Sequence, residues 1–227
     1  MYTLEFIIGL YDTYIGDLKR VKEYQKGLYH QIDCGSDDTE CEITYMLMRH
    51  FKPLTVVEIS PNQGWSSCWI LHGLKDNGTG KLISYDIIED SEKKIPIELT
   101  SGRWELIVGD VMESLDKIPK NIDYLYIDSD HYCVFTQWYL DSLFPMLRSK
   151  TPVCIHDIYH DSHPETYIYE ERGLVMKWLR DNNILFFSPS RFWNSEKYEV
   201  LQALRNKLGL YNLHGNTINP MIYFLSN

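Results

Sequence analysis

Val56-Val57-Glu58-Ile59-Ser60-Pro61-Asn62-Gln63-Gly64-Trp65-Ser66 runs from a β-branched apolar stretch through a turn of small and polar residues into a helical pattern. Strand, tight turn and helix in that order form the opening unit of a parallel α/β sheet, and the same rhythm recurs on both sides of it. Strands are expected at 54–60, 81–87, 104–108, 122–128, 152–158, 184–188 and 220–225, each short and rich in β-branched or aromatic residues. Helices are expected from Thr39 with a capping box to Glu42, then at 65–76, 133–148, 171–182 and 195–208. The pattern predicts an α/β fold, a Rossmann-like, doubly wound, mostly parallel seven-stranded sheet with helices on both faces. The last run reads as an edge strand of either direction.

The chain of 227 residues, 44% of them hydrophobic, suits one domain with a sizeable core. No internal repeat or Pro/Gly-rich linker marks a second domain, so 39–227 is read as the core and 1–38 as a helical, substrate-side extension or a helix that only packs on the sheet. The polar segment 159–170 is read as substrate-side too, with His160, His163 and Tyr167 as contacts. A net charge of −10 disfavours nucleic acid, whose binding draws on Lys and Arg against phosphate. No stretch reaches the ~20 apolar residues of a membrane helix. Glu5 and Asp12 stand where a secretion signal would be basic and then apolar, so a cytoplasmic location is expected. Five scattered cysteines without a CxxC pair point to reduced thiols rather than disulfides or a zinc site.

The turn after the first strand lies where a nucleotide-like ligand binds in this architecture, because the helix amino end presents unpaired N–H groups. A dinucleotide site would use three glycines there, and only Gly64 is present. A nicotinamide-dependent oxidoreductase is thereby disfavoured. An adenosine ligand without phosphate fits better, with Glu58, Ser60, Asn62, Gly64 and Ser66 around its ammonium and carboxylate. S-adenosylmethionine is such a ligand, and Asp86, ending the second strand, would take the ribose hydroxyls in a fork. Gly109-Asp110-Val111 would lie beside the adenine, although Asp110 reads equally as a helix cap before Met112.

Two further motifs end the fourth and fifth strands: Ile127-Asp128-Ser129-Asp130-His131 and Ile155-His156-Asp157-Ile158. With the Glu58 turn and the strand spacing, they make residues 36–190 resemble the class I S-adenosylmethionine-dependent methyltransferases, in the branch with I-D-x-D-H and H-D strand ends. The likeness extends to metal-dependent sugar O-methyltransferases. Many relatives carry glycine where this chain has Ser60 and Asn62. The resemblance implies that Asp128, Asp157 and the residue before it line a metal, Mg²⁺ or Mn²⁺, with Asp130 as general base. It places Asp128 beside the cofactor as well. Relatives have Asp-Asp where this chain has His156-Asp157, and three alternatives stay open for His156: a ligand, a base in place of Asp130, or a sign that no metal binds.

The chemistry follows from these residue types. A hydroxyl is a poor nucleophile, so positioning, a nearby carboxylate or imidazole and a divalent cation all assist its methylation. His131 and His156 are rival bases to Asp130. The expected activity is methyl transfer to a hydroxyl of a sugar, glycan or other small polyol. The alternatives are a catechol-like small-molecule acceptor and a non-catalytic S-adenosylmethionine-binding module. For each acid there is a plainer role as a helix cap, and for each histidine one as a satisfied hydrogen-bond partner. Two such clusters on successive strand ends weigh against that. Trp138, Tyr139, Phe144 and Trp178 fall at core spacing. A homo-oligomer and a fusion to a glycosyltransferase are both compatible with the sequence.

Overall fold

The structure, a computed structural model, describes residues 2–159, 171–213 and 217–227. The Glu58 stretch folds as strand β1 (Thr55–Ile59) leading into a helix, and the remaining strands are β2 (Lys81–Asp86), β3 (Trp104–Val108), β4 (Tyr124–Ile127), β5 (Pro152–Ile155), β6 (Phe186–Phe187) and β7 (Ile222–Leu225). They form one seven-stranded sheet in the order β3-β2-β1-β4-β5-β7-β6. The first five are mutually parallel, and β7 runs antiparallel to both β5 and β6. The last run is therefore not an edge strand. It is inserted between two neighbours, which explains its apolar character on both faces: Ile222, Tyr223 and Phe224 are fully buried.

Eight α-helices are described: α1 (Leu4–Leu28), α2 (Asp38–Phe51), α3 (Trp65–Asn77), α4 (Asp90–Lys94), α5 (Ile97–Thr100), α6 (Cys133–Trp138), α7 (Glu171–Asp181) and α8 (Ser195–Lys207). The capping box of α2 is set two residues earlier than the sequence suggests. Asp37 is the N-cap and Glu40 reaches back to its N–H at 2.8 Å, which frees Glu42 for a buried ion pair. The stretch expected as one helix over 133–148 is broken: α6 passes into a π turn at Tyr139–Leu143 and a 3₁₀ turn at Phe144–Met146. Pro145 within the last turn has no N–H to continue an α-helical ladder.

Side chains alternate across the sheet as the pleat requires. Val56, Tyr124, Tyr126, Cys154 and Tyr223 pack with α1, α2 and α3 on one face. Val57, Ile59, Leu125, Ile127, Val153 and Ile155 pack with α6 and α7 on the other. Helices α2 and α3 approach closely at Gly73, where a Cβ would stand 2.4 Å from Met48 Cβ. Helix α1 buries Ile7, Leu10, Leu18 and Val21 in the first layer. Its continuation reaches the turn after β1, where Asp33 N–H donates to Gln63 and Gln63 donates back to Asp33 at 2.6 Å. No helix among the described residues is long and apolar enough to cross a membrane.

Candidate active site

Backbone ladders continue past the strand ends and bring the motif residues to one rim. Ser60 N–H donates to Tyr85 carbonyl, Asp128 N–H to Ile59 carbonyl and His156 N–H to Ile127 carbonyl. The carboxyl ends of β1, β2, β4 and β5 thus lie side by side, the edge at which open α/β sheets bind ligands.

The turn after β1 adopts a left-handed backbone, the conformation that glycine favours. Ser60 has φ 61°, Asn62 φ 49° and Gly64 φ 94°. Asn tolerates this region and Ser does so at a modest cost. Gly64 is held to glycine, because a Cβ would fall 2.5 Å from Ile95 Cγ1. Glu58 does not face the rim. It is fully buried and accepts from Ser66 and Ser84 at 2.7 Å and from Ser67 at 2.6 Å. Burial raises its pKa against the effect of the three hydroxyls. Glu58 and Ser66 therefore tie the strand to the first turn of α3.

Asp86 accepts from Asn62 N–H at 2.9 Å and Ile88 N–H at 3.2 Å, bracing the same turn. Burial raises its pKa despite these bonds. It lines a cleft of about 260 Å³ with Ser60, Gly109, Asp110, Ser129 and Asp130. Asp110 accepts from Met112 N–H at 2.8 Å, so the helix-cap role is real, and it lines the cleft as well. Ser129 Oγ is buried in this region without a hydrogen-bond partner, an orphan donor that suits a polar ligand.

The second cleft, about 290 Å³, is lined by Asp130, His131, Tyr132, Asp157, Glu171 and Arg172. Left-handed turns at His131 (φ 60°) and Asp157 (φ 56°) swing these residues over the strand ends. His131 Nε2 stands 3.3 Å from Asp157 Oδ2 and 4.0 Å from Asp128 Oδ1, and ligand atoms of the three residues all lie within 4.8 Å of one another. Its Nδ1 lies 2.6 Å from Glu171 Oε2. Burial alone would lower the His131 pKa, but Asp157 and Glu171 raise it to about 10.

His156 is turned into the core. Nε2 bonds Glu40 Oε1 at 2.8 Å, while Nδ1 lies 3.1 Å from Asp128 and 3.3 Å from Asp157, out of hydrogen-bond alignment with either. Burial opposes its charge, yet Asp128, Glu40 and Asp157 raise its pKa well above the usual value. Asp157 is held far below the usual carboxylate range by His156 and His131, against its own burial. Asp130 is exposed, accepts from Tyr132 N–H at 3.2 Å and lines both clefts.

Sequence reasoning missed Glu40 and Glu171. Glu40 is visible only as a capping-box residue, and no pattern marks Glu171. Tyr139 is core as expected, and its hydroxyl also donates to Glu171 Oε1 at 2.7 Å. His160, His163 and Tyr167 lie outside the described residues. A bigger hollow, about 390 Å³, opens at the amino ends of β1 and β5 between Lys52, Asp123, Arg148 and Lys150. It is the wrong rim for ligand chemistry in this architecture.

Residues 57–158 match a family model described as a methyltransferase domain. Three solved structures share the fold. A candidate caffeoyl-CoA O-methyltransferase from Staphylococcus aureus is 10% identical with TM-score 0.62, covering 99% of this chain and 99% of its own. An O-methyltransferase from Bacillus cereus, in complex with S-adenosylhomocysteine (SAH), is 14% identical with TM-score 0.57, covering 95% and 96%. TomG from Streptomyces achromogenes, an O-methyltransferase of tomaymycin synthesis in complex with S-adenosylmethionine, is 13% identical with TM-score 0.55, covering 83% and 79%. No curated protein matches the chain in sequence. The chain shares its fold with these methyltransferases, and its residues 57–158 match a methyltransferase domain.

Proposed function

We propose that the chain transfers a methyl group from S-adenosylmethionine to a hydroxyl of a small acceptor, a sugar or other polyol. The observation that carries this reading is that Asp130 is the common wall of the two clefts. Asp86 and the left-handed turn line the donor side, and the acids and imidazoles line the acceptor side. An adenosine group in the first cleft would meet the free lone pairs of Asp86 at its ribose and the orphan Ser129 hydroxyl. Glu58 and Ser66 act on it indirectly, by fixing the turn.

S-adenosylmethionine supplies an electrophilic methyl carbon on a sulfonium. Asp130 would take the acceptor's hydroxyl proton as that oxygen forms its bond to the methyl carbon, and the carbon–sulfur bond breaks with its electrons left on sulfur. Holding the acceptor in line is the chain's main contribution. A divalent cation such as Mg²⁺ or Mn²⁺ would lower the hydroxyl pKa. Asp128 and Asp157 are the carboxylates to hold it, and their oxygens converge with His131 so that ligand atoms of the three residues lie within 4.8 Å of one another, a spacing that fits such an ion. His156, bound through Nε2 to Glu40, serves better as the floor of this site than as a base. Tyr132, 70% exposed beside the second cleft, favours a planar, catechol-like acceptor as the second reading.

Calorimetry is expected to show SAH binding that Asp86→Ala weakens about 100-fold or more. Methyl transfer to at least one member of a panel of sugars and catechols is expected to collapse in Asp130→Asn. Equal SAH affinity in wild type and Asp86→Ala, or full turnover by Asp130→Asn, would discard the assignment.

A further inference from the structure

We propose that Glu171 is a positioning residue for the cation site: held by Tyr139, it fixes the His131 ring so that Nε2 becomes the third ligand beside Asp128 and Asp157. The inference rests on the reading that the Asp128–Asp157 pair takes a divalent cation, and it assigns that site an imidazole in place of a third oxygen.

The geometry is a chain of contacts. Tyr139, fully buried at the start of a π turn, donates to Glu171 Oε1 at 2.7 Å. The other carboxylate oxygen, Oε2, lies 2.6 Å from His131 Nδ1 and accepts from its N–H. With Nδ1 engaged by Glu171, Nε2 is the nitrogen left to exchange its proton for a cation, and it faces Asp157 and Asp128. Octahedral ligands about 2.1 Å from an ion stand about 3.0 Å apart when adjacent and about 4.2 Å apart when opposite, which brackets the 3.3 Å from His131 Nε2 to Asp157 and the 4.0 Å to Asp128. A carboxylate behind a ligating histidine sets its tautomer and ring orientation.

The opposite histidine does not compete for this role. His156 is 4% exposed, whereas the His131 side chain is 33% exposed and lines the cleft from which an acceptor oxygen would complete the coordination. His156 Nδ1, buried and without an aligned partner, is aimed at the same two carboxylates from below. Asp128 and Asp157 thus gather both imidazoles around one point between them.

The test uses Mn²⁺ alone on the full chain, read by electron spin-echo modulation and by calorimetry, with SAH binding as an independent check of folding. Wild type is expected to bind Mn²⁺ and show nitrogen modulation from an imidazole ligand. His131→Ala is expected to lose that modulation, and His156→Gln to keep it. Glu171→Gln, which preserves shape, is expected to weaken Mn²⁺ about tenfold or more with SAH affinity unchanged, and Tyr139→Phe to weaken it less. Absence of Mn²⁺ binding, nitrogen modulation that persists in His131→Ala, or unaltered Mn²⁺ affinity in Glu171→Gln overturns the proposal. Wild type that binds SAH but no Mn²⁺ leaves methyl transfer standing without the cation. Mn²⁺ binding with the expected variant pattern but without SAH affinity supports the cation site and sinks the methyl-transfer reading instead.

Discussion

Gly64 shows how one residue without a side chain sets the donor cleft. Its φ of 94° and the 2.5 Å approach to Ile95 Cγ1 leave no room for a methyl group. Gly64→Ala is expected to cost about 1–3 kcal/mol and to weaken SAH by displacing the turn, as measured by denaturation and calorimetry. Ser60→Gly and Asn62→Gly, at positions already left-handed, should change stability by no more than about 1 kcal/mol. An alanine variant at Gly64 as stable and as tight-binding as wild type would show that the turn is not constrained in this way. The same residue-scale view explains Glu58. A carboxylate two positions before a sharp turn reads as a ligand-binding group, but its orientation depends on Ser67 and Ser84, which are distant in the pattern and adjacent in space.

At the scale of elements, α1, α2 and α8 are joined through a single carboxylate. Glu42 accepts from Lys22 at 2.7 Å, from Tyr11 at 2.7 Å and from Arg205 Nε at 2.8 Å, and all four side chains are buried. Arg205 and Lys22 lower the Glu42 pKa against its burial, so it is the charged form that the packing requires. Glu42→Gln leaves Arg205 without its counter-charge in the core and Lys22 with Asp38 alone, at 2.9 Å, and should cost about 3–5 kcal/mol in urea unfolding. A loss under about 1 kcal/mol would mean that water or Asp38 compensates them. Because α2 also carries Glu40 to His156, loosening this clamp should reach the floor of the acceptor cleft.

For the whole molecule, pH tests the buried His72. From α3 it packs edge-on against Tyr24 of α1, and burial lowers its pKa from about 6.5 to about 4, with Asp76 and Glu98 pulling up and Lys75 and Arg20 pulling down. A folded-state pKa below the unfolded value means that the unfolded chain takes up the proton first. Stability is fully present above pH 6.5, declines as pH falls toward about 4 and levels off below that, a loss of up to about 3 kcal/mol. His131, with its pKa raised to about 10, has the opposite sign, stabilising at low pH and losing that contribution as pH rises through about 10. Comparing wild type with His72→Leu in urea at pH 5 and 7.5 isolates the first effect, since the substitution should flatten the decline. An identical decline in both would remove His72 as its source.

Periodicity alone determined the seven strands, the alternation with helices and the rim on which the motifs fall, because burial on one face or two writes itself into residue spacing. The I-D-x-D-H and H-D strand ends made Asp128, Asp130, His131, His156 and Asp157 legible as a group. Tertiary structure decided which way each points. His156 turns inward because α2 brings Glu40 beneath it, and His131 turns toward the aspartates because α7 brings Glu171 behind it. It also placed the last strand inside the sheet, through pairings with β5 and β6. Such contacts join residues more than 30 positions apart, and local sequence has no period that reports them.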